Sequence, residues 1–202
     1  MGESGLMYSS INDMLKKKGL AKDSNINMDN NSSKPLFQTN CEGLIGYYNS
    51  LNKNQRIIYR KYQTNDARHL QYRGLDASYF ASYEETVAYI EKLQTVGPAI
   101  TVYYQGQIAA CWGFAQLVPG VFEAWCLGSE LFNQYPVATT RTAKFVIEQG
   151  AKYLAAHRIQ VTVLANNKVA NNWASVLLFN KEGLLKQFGH DKQDYVMYAK
   201  YY

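Results

Sequence analysis

No stretch of the 202 residues keeps together the roughly 20 apolar side chains that a membrane-spanning helix needs. The most apolar segments, residues 108–118 and 121–127, are broken or bounded by Gly, Gln, Pro or Glu, so no transmembrane helix and no membrane partner are expected. The first residues lack a basic region leading into an apolar one, and Leu6 stands where a myristoylation signal needs Ser or Thr. Secretion and lipid anchoring are therefore not expected. There are only three cysteines, Cys41, Cys111 and Cys126, which form neither an even disulfide set nor a CxxC pair and point to a reducing compartment. His69, His157 and His190 show no HxxxH or HExxH spacing, so no metal centre is expected, and no GxSxG, GxGxxG or P-loop occurs. Charge is sparse as well, with 18% charged residues and a net +5, far from the dense clusters of a nucleic-acid binder. Arg56, Arg60, Lys61, Arg68 and Arg73 do alternate with Tyr59, Tyr62 and Tyr72, as in a single-strand binder. A solvated strand and helix face, or a protein-docking surface, accounts for them more simply, and nucleic acid is not an expected partner.

What is abundant is tyrosine, with 17 residues, a side chain suited to half-buried strands and to interfaces. Residues 1–40 differ in composition from the rest, with six Asn, six Ser and three Gly among few large apolar groups. Such a segment cannot bury enough surface to offset its ordering entropy, so it reads as an extended N-terminal arm preceding a domain at 41–202. Within it, Ser9 or Ser10 can cap a short helix through Lys18 that places Ile11, Met14 and Leu15 on one face, and Leu36 and Phe37 form a second apolar anchor. Two short anchors on a tether suit binding by ordering on contact, and all five residues are candidate partner-binding residues.

Beyond Cys41 the pattern is that of a folded domain. Residues 42–51 read as a helix, 56–62 as a strand, and the stretch from the turn at 64–66 to Arg73 as a short helix. Ser82-x-x-Glu85 spells a capping box for a helix to about Gln94, ended by Gly97-Pro98. Strands at 99–105, 108–117 and 121–127, separated by Gln105-Gly106 and Pro119-Gly120, form a meander. A loop from Gly128 to Pro136 leads to a long helix from Thr139 or Thr140 to His157, which Gly150 weakens locally. Residues 159–164 read as a strand buried on both faces, 169–181 as a helix stopped at Gly183, and two strands close the chain. The order is α+β with one mixed, mostly antiparallel sheet flanked by helices.

Residues 172–184, Asn172-Trp-Ala-Ser175-Val-Leu-Leu178-Phe179-Asn-Lys-Glu-Gly183-Leu184, follow the spelling Asn-x-x-Ala-x-x-Leu-Tyr-x-x-x-Gly-Phe of the GNAT (N-acetyltransferase) superfamily, which residues 99–201 resemble. The element Trp125-Cys126-Leu127-Gly128-Ser129 is similar to one in GNAT-like internal virion proteins of short-tailed phages. That resemblance, with the arm, implies a virion protein made in the host cytoplasm, whose arm binds a portal, capsid or tail component.

The resemblance also assigns the chemistry. The superfamily's pyrophosphate cradle, Gln/Arg-x-x-Gly-x-Gly/Ala at a helix N-terminus, falls on Gln134, Val137 and Thr139, with Thr140, Arg141 and Asn172 as further coenzyme A contacts. Val137 and Thr139 replace the small residues, Pro136 removes one N–H, and Thr139 and Thr140 are left to supply backbone donors. Phe179 stands where the superfamily often has a Tyr general acid, and Tyr135, Tyr195 and Tyr198 are possible substitutes that spacing does not rank. Glu123 falls on the strand that often carries the general base, although the alternation Val121, Glu123, Trp125 also makes it a plain outward-facing residue. The expectation is a domain without catalysis and without a cofactor; the alternative is an acetyl-coenzyme A-dependent N-acyltransferase.

Overall fold

The computed structural model describes residues 41–54, 56–70 and 82–202. The arm anchors Ile11, Met14, Leu15, Leu36 and Phe37, like Tyr72 and Arg73, lie outside the described residues. In chain order the elements are α1 (Cys41–Leu51), β1 (Ile57–Lys61), α2 (Asp66–His69), α3 (Tyr83–Leu93), β2 (Ala99–Tyr104), β3 (Gln107–Val118), β4 (Val121–Gly128), α4 (Leu131–Gln134), α5 (Pro136–Tyr153), β5 (Arg158–Leu164), α6 (Lys168–Val176), β6 (Asn180–Leu185) and β7 (Tyr195–Tyr201). The strands form one sheet in the order β1-β2-β3-β4-β5-β7-β6, antiparallel throughout except for β4 and β5. This is the mixed α+β architecture expected from the sequence.

Two apolar layers hold the sheet. On one face Leu44 and Tyr48 of α1 and Ala143, Val146, Ile147 and Ala151 of α5 pack with Ala174 of α6 on Ile100, Trp112, Phe114, Phe122 and Ile159. On the other, Ala67 of α2 and Val87 and Ile90 of α3 pack with Tyr62 on Cys111 and Leu127. The turns follow their spelling. Gln105 and Gly106 both have positive φ (50° and 83°), which matches the twist of a two-residue hairpin, and Gly120 turns the next one at φ 77°. Ser82 accepts the Glu85 N–H at 3.2 Å, the bond the capping spelling predicts. The edge strand β1 is closed by α1: Asn49 donates to Tyr59 O (2.9 Å) and accepts from Tyr59 N (3.3 Å), and Asn52 donates to Ile57 O (2.7 Å).

Four sequence readings are corrected. The stretch between Gly128 and Pro136 contains α4 rather than only a loop. α5 starts three residues early, because Pro136 occupies its first helical position, where a missing N–H costs nothing, and it ends at Tyr153. β5 is mostly half-buried, with Ile159 alone fully covered, since it pairs with β4 over only three residues. α6 ends at Val176: the Phe179 N–H returns to Ala174 O (3.0 Å) and the Leu178 N–H to Ser175 O (2.9 Å), a Schellman closure with Leu178 at φ 66°. Gly183 is thus no helix stop but a member of β6, where an added Cβ would touch nothing. Leu178 is 62% exposed and holds a backbone conformation that favours glycine. Leu178→Gly is therefore expected to raise stability by about 0.5–1 kcal/mol, read as a higher urea midpoint at unchanged slope.

The far end of the sheet is pinned by charge. A bulge between Lys181 and Gly183 lets Glu182 receive both arms of Arg158 (2.7 and 2.6 Å) and the Tyr201 hydroxyl, and these partners hold its carboxyl at about 2. Lys200 binds Glu148 of α5 and donates to Leu177 O (3.1 Å), fixing the end of α6.

Candidate functional site

Among the described strands β4 and β5 are the only parallel neighbours, and their pairing stops at Glu123 opposite Gln160. Beyond it residues 124–128 continue against β3 and 161–164 against β7, so the sheet forks at Glu123. Phe122 and Ala124 point into the layer under α5, which by strand alternation sends Glu123 to the opposite face, toward Gln160 and Thr162. Thr162 donates to its carboxylate at 3.4 Å. Burial pushes the Glu123 carboxyl above the usual range, and the bonds from Thr162 and Gln160 only partly oppose this. Glu123 is thus a half-buried group in the fork rather than a plain surface residue.

The other expected site residues lie on the α5 and α6 side of the sheet. In the first turn of α5, Pro136 has no N–H and the Thr139 N–H is already bonded to Tyr135 O (2.9 Å), which leaves the outward N–H groups to Val137 and Ala138. This corrects the expected donors Thr139 and Thr140, both of which fall inside the helix. Thr139 turns to the opposite flank, into an apolar cleft lined by Tyr104, Trp112, Leu131, Tyr135 and Ala138. Gln134 ends α4, and Val137 and Arg141 are exposed.

α6 brings in Asn171 rather than Asn172. Asn172 is exposed, whereas Asn171 donates to Leu164 O (2.9 Å) and Asn167 O (2.7 Å) and accepts from the Tyr198 hydroxyl (2.8 Å). The buried positions Ala174 and Leu177 follow it at three and six residues, so the Asn-x-x-Ala-x-x-Leu spelling falls one residue earlier than the sequence reading placed it. In that register the position after Leu177 is Leu178, an aliphatic side chain, and Phe179 is buried beneath it. Of the possible substitutes, Tyr195 is fully buried, Tyr135 contacts the Tyr104 ring, and the Tyr198 proton is engaged by Asn171 while desolvation raises its pKa.

Trp173 joins α6 to α5. Its indole N–H donates to Thr140 Oγ1 at 3.1 Å, its rings lie 6.1 Å from those of Trp112, and the Thr140 hydroxyl donates onward to Pro136 O at 2.8 Å. The hydrogen bond brings the two side chains into contact and ties α6 to the first turns of α5. Sequence reasoning missed the bridge because its partners are 33 residues apart and neither segment records how the two helices meet.

Tyr59 and Tyr62 are 2% and 3% exposed, so neither offers a face to a base, and Arg68 is paired with Glu84. Among the described residues no three His, Cys, Asp or Glu side chains gather to hold a metal, the three cysteines are free, and no helix is long and apolar enough to cross a membrane.

No protein-family model and no curated protein matches the sequence. Solved structures do. An acetyltransferase of the GNAT family from Bacillus anthracis superposes with a TM-score of 0.58 at 17% identity, covering 74% of this chain and 96% of its own. A ribosomal-protein-S5-alanine acetyltransferase from Vibrio fischeri gives 0.57 at 13%, covering 74% and 95%. A ribosomal L7/L12 alpha-N-protein acetyltransferase solved in complex with coenzyme A gives 0.55 at 18%, covering 73% and 95%. With nearly the whole of each neighbour matched, the chain is built on the GNAT acetyltransferase fold.

Proposed function

We propose that this is a GNAT-fold domain that does not catalyse acyl transfer and serves as a component of a phage virion. One observation carries the loss of catalysis: where the fold's general acid would stand, Leu178 and Phe179 present only hydrocarbon, and the neighbouring Tyr198 proton is held by Asn171. The virion role rests on the similarity of residues 125–129 to short-tailed phage proteins and on the polar arm. Residues 1–40 would attach the domain to a portal, capsid or tail protein through Ile11, Met14, Leu15, Leu36 and Phe37. The fork at Glu123 favours a second reading, an acetyl-coenzyme A-dependent N-acyltransferase with a carboxylate that keeps its proton to higher pH than free Glu.

The test is direct. The purified chain is expected to transfer no acetyl group to a broad panel of amines. Turnover that disappears in Glu123→Gln would overturn the non-catalytic reading in favour of the second. In particles, a chain lacking residues 1–40 is expected to melt cooperatively yet fail to be incorporated; normal incorporation would remove the arm as the attachment device.

A further inference from the structure

A ligand seated on the first turn of α5 and reaching the end of α6 would have to lie in a groove between these two helices. By helical spacing Val169, Trp173 and Val176 share one side of α6, and Val137, Thr140 and Lys144 share one side of α5. Val137, Val169 and Val176 are 62%, 70% and 54% exposed, which is unusual for valines on packed helices. They are exposed apolar side chains on the two helices that the Trp173 indole joins. That indole is held from three sides: by Thr140 as acceptor, by the Trp112 rings, and by its own helix. The Thr140 hydroxyl spends its proton on Pro136 O, so a lone pair faces the indole N–H, and a donor chain runs from α6 into the first turn of α5.

We propose that Trp173 is a built-in stopper of this groove, and that it, rather than the altered first turn of α5, excludes coenzyme A. The outward N–H groups of Val137 and Ala138 remain in place at the head of α5, so the anion-facing end of the groove is intact while its middle is filled. The inference rests on the reading of the domain as non-catalytic, but concerns binding alone. Removing the indole would open a channel from the first turn of α5 to Leu178, flanked by these valines and wide enough for an alkyl-amide chain.

The experiment uses the full chain with coenzyme A itself, followed by melting and by titration calorimetry, in wild type, Trp173→Ala and Trp173→Val. At about 1 mM ligand the wild-type melting midpoint is expected not to move, while a variant rises by several degrees, at least a tenfold gain in affinity. If a cooperatively melting variant gains no affinity, the stopper is overturned and the first turn of α5 is the barrier, with the non-catalytic reading untouched. If wild type binds as tightly as the variants, the groove was never closed, and the proposal falls while the turnover assay still decides catalysis. If neither variant melts cooperatively, Trp173 is a core residue and the proposal falls as well.

Discussion

Gly97→Ala is expected to cost about 3 kcal/mol or more and to abolish cooperative unfolding at moderate urea. Gly97 lies in the segment between α3 and β2, where Val96 O accepts from Gln116 N (3.1 Å) and Pro98 O from Phe114 N (3.0 Å). These bonds draw the segment so close to β3 that a Cβ on residue 97 would stand 1.7 Å from Phe114 O. Backbone cannot swing aside as a side chain can. Relief therefore requires breaking the two bonds, and Phe114 is itself 1% exposed in the core beneath Gly150. The measurement is the urea midpoint of the purified variant; a loss below about 1 kcal/mol would show that the segment moves freely and that the two bonds carry little.

The second large effect falls on Tyr48, which is completely buried where α1, α5 and the sheet meet. Its ring lies 5.3 Å from that of Tyr59 and 5.7 Å from that of Phe145, and its hydroxyl donates to Val146 O at 2.7 Å. Gly150 makes the room, since a Cβ there would meet Tyr48 Oη at 2.7 Å. Tyr48→Ala is expected to cost about 3–5 kcal/mol, and Tyr48→Phe only about 1 kcal/mol. Equal losses in the two variants would assign the stabilisation to the hydroxyl rather than to the packed ring. The Gly150 that weakens a helix by propensity is thus what allows α1 to seat against α5.

Much of the scaffold was legible because its signals are local. The capping bond at Ser82 and both meander turns lie within four residues of sequence, where backbone preference decides the outcome. The helix ends were harder. Proline either breaks or begins a helix, and nothing near Pro136 in sequence says which. At the other helix a leucine takes the left-handed position that glycine usually marks, so Gly183 drew the boundary too far along. The site was less legible again. Two adjacent asparagines and an Ala-Ser pair allow the same motif in two registers, and only the burial of Ala174 and Leu177 chooses between them. The Thr140–Trp173 bridge depends on how two helices cross and leaves no trace in either segment.

The side-chain closure of β1 limits how copies of this domain can add to one another. A sheet with two bare margins can join head to tail, the last strand of one copy against the first strand of the next, and such a contact repeats without end. Here the Asn49 carboxamide already exchanges both bonds with Tyr59 that an incoming strand would seek, and Asn52 takes the Ile57 carbonyl. Head-to-tail growth is forbidden at its first step. Strand addition at the β6 margin would instead bring two copies together about a two-fold axis, a contact that closes on itself and produces a pair instead of a fibre.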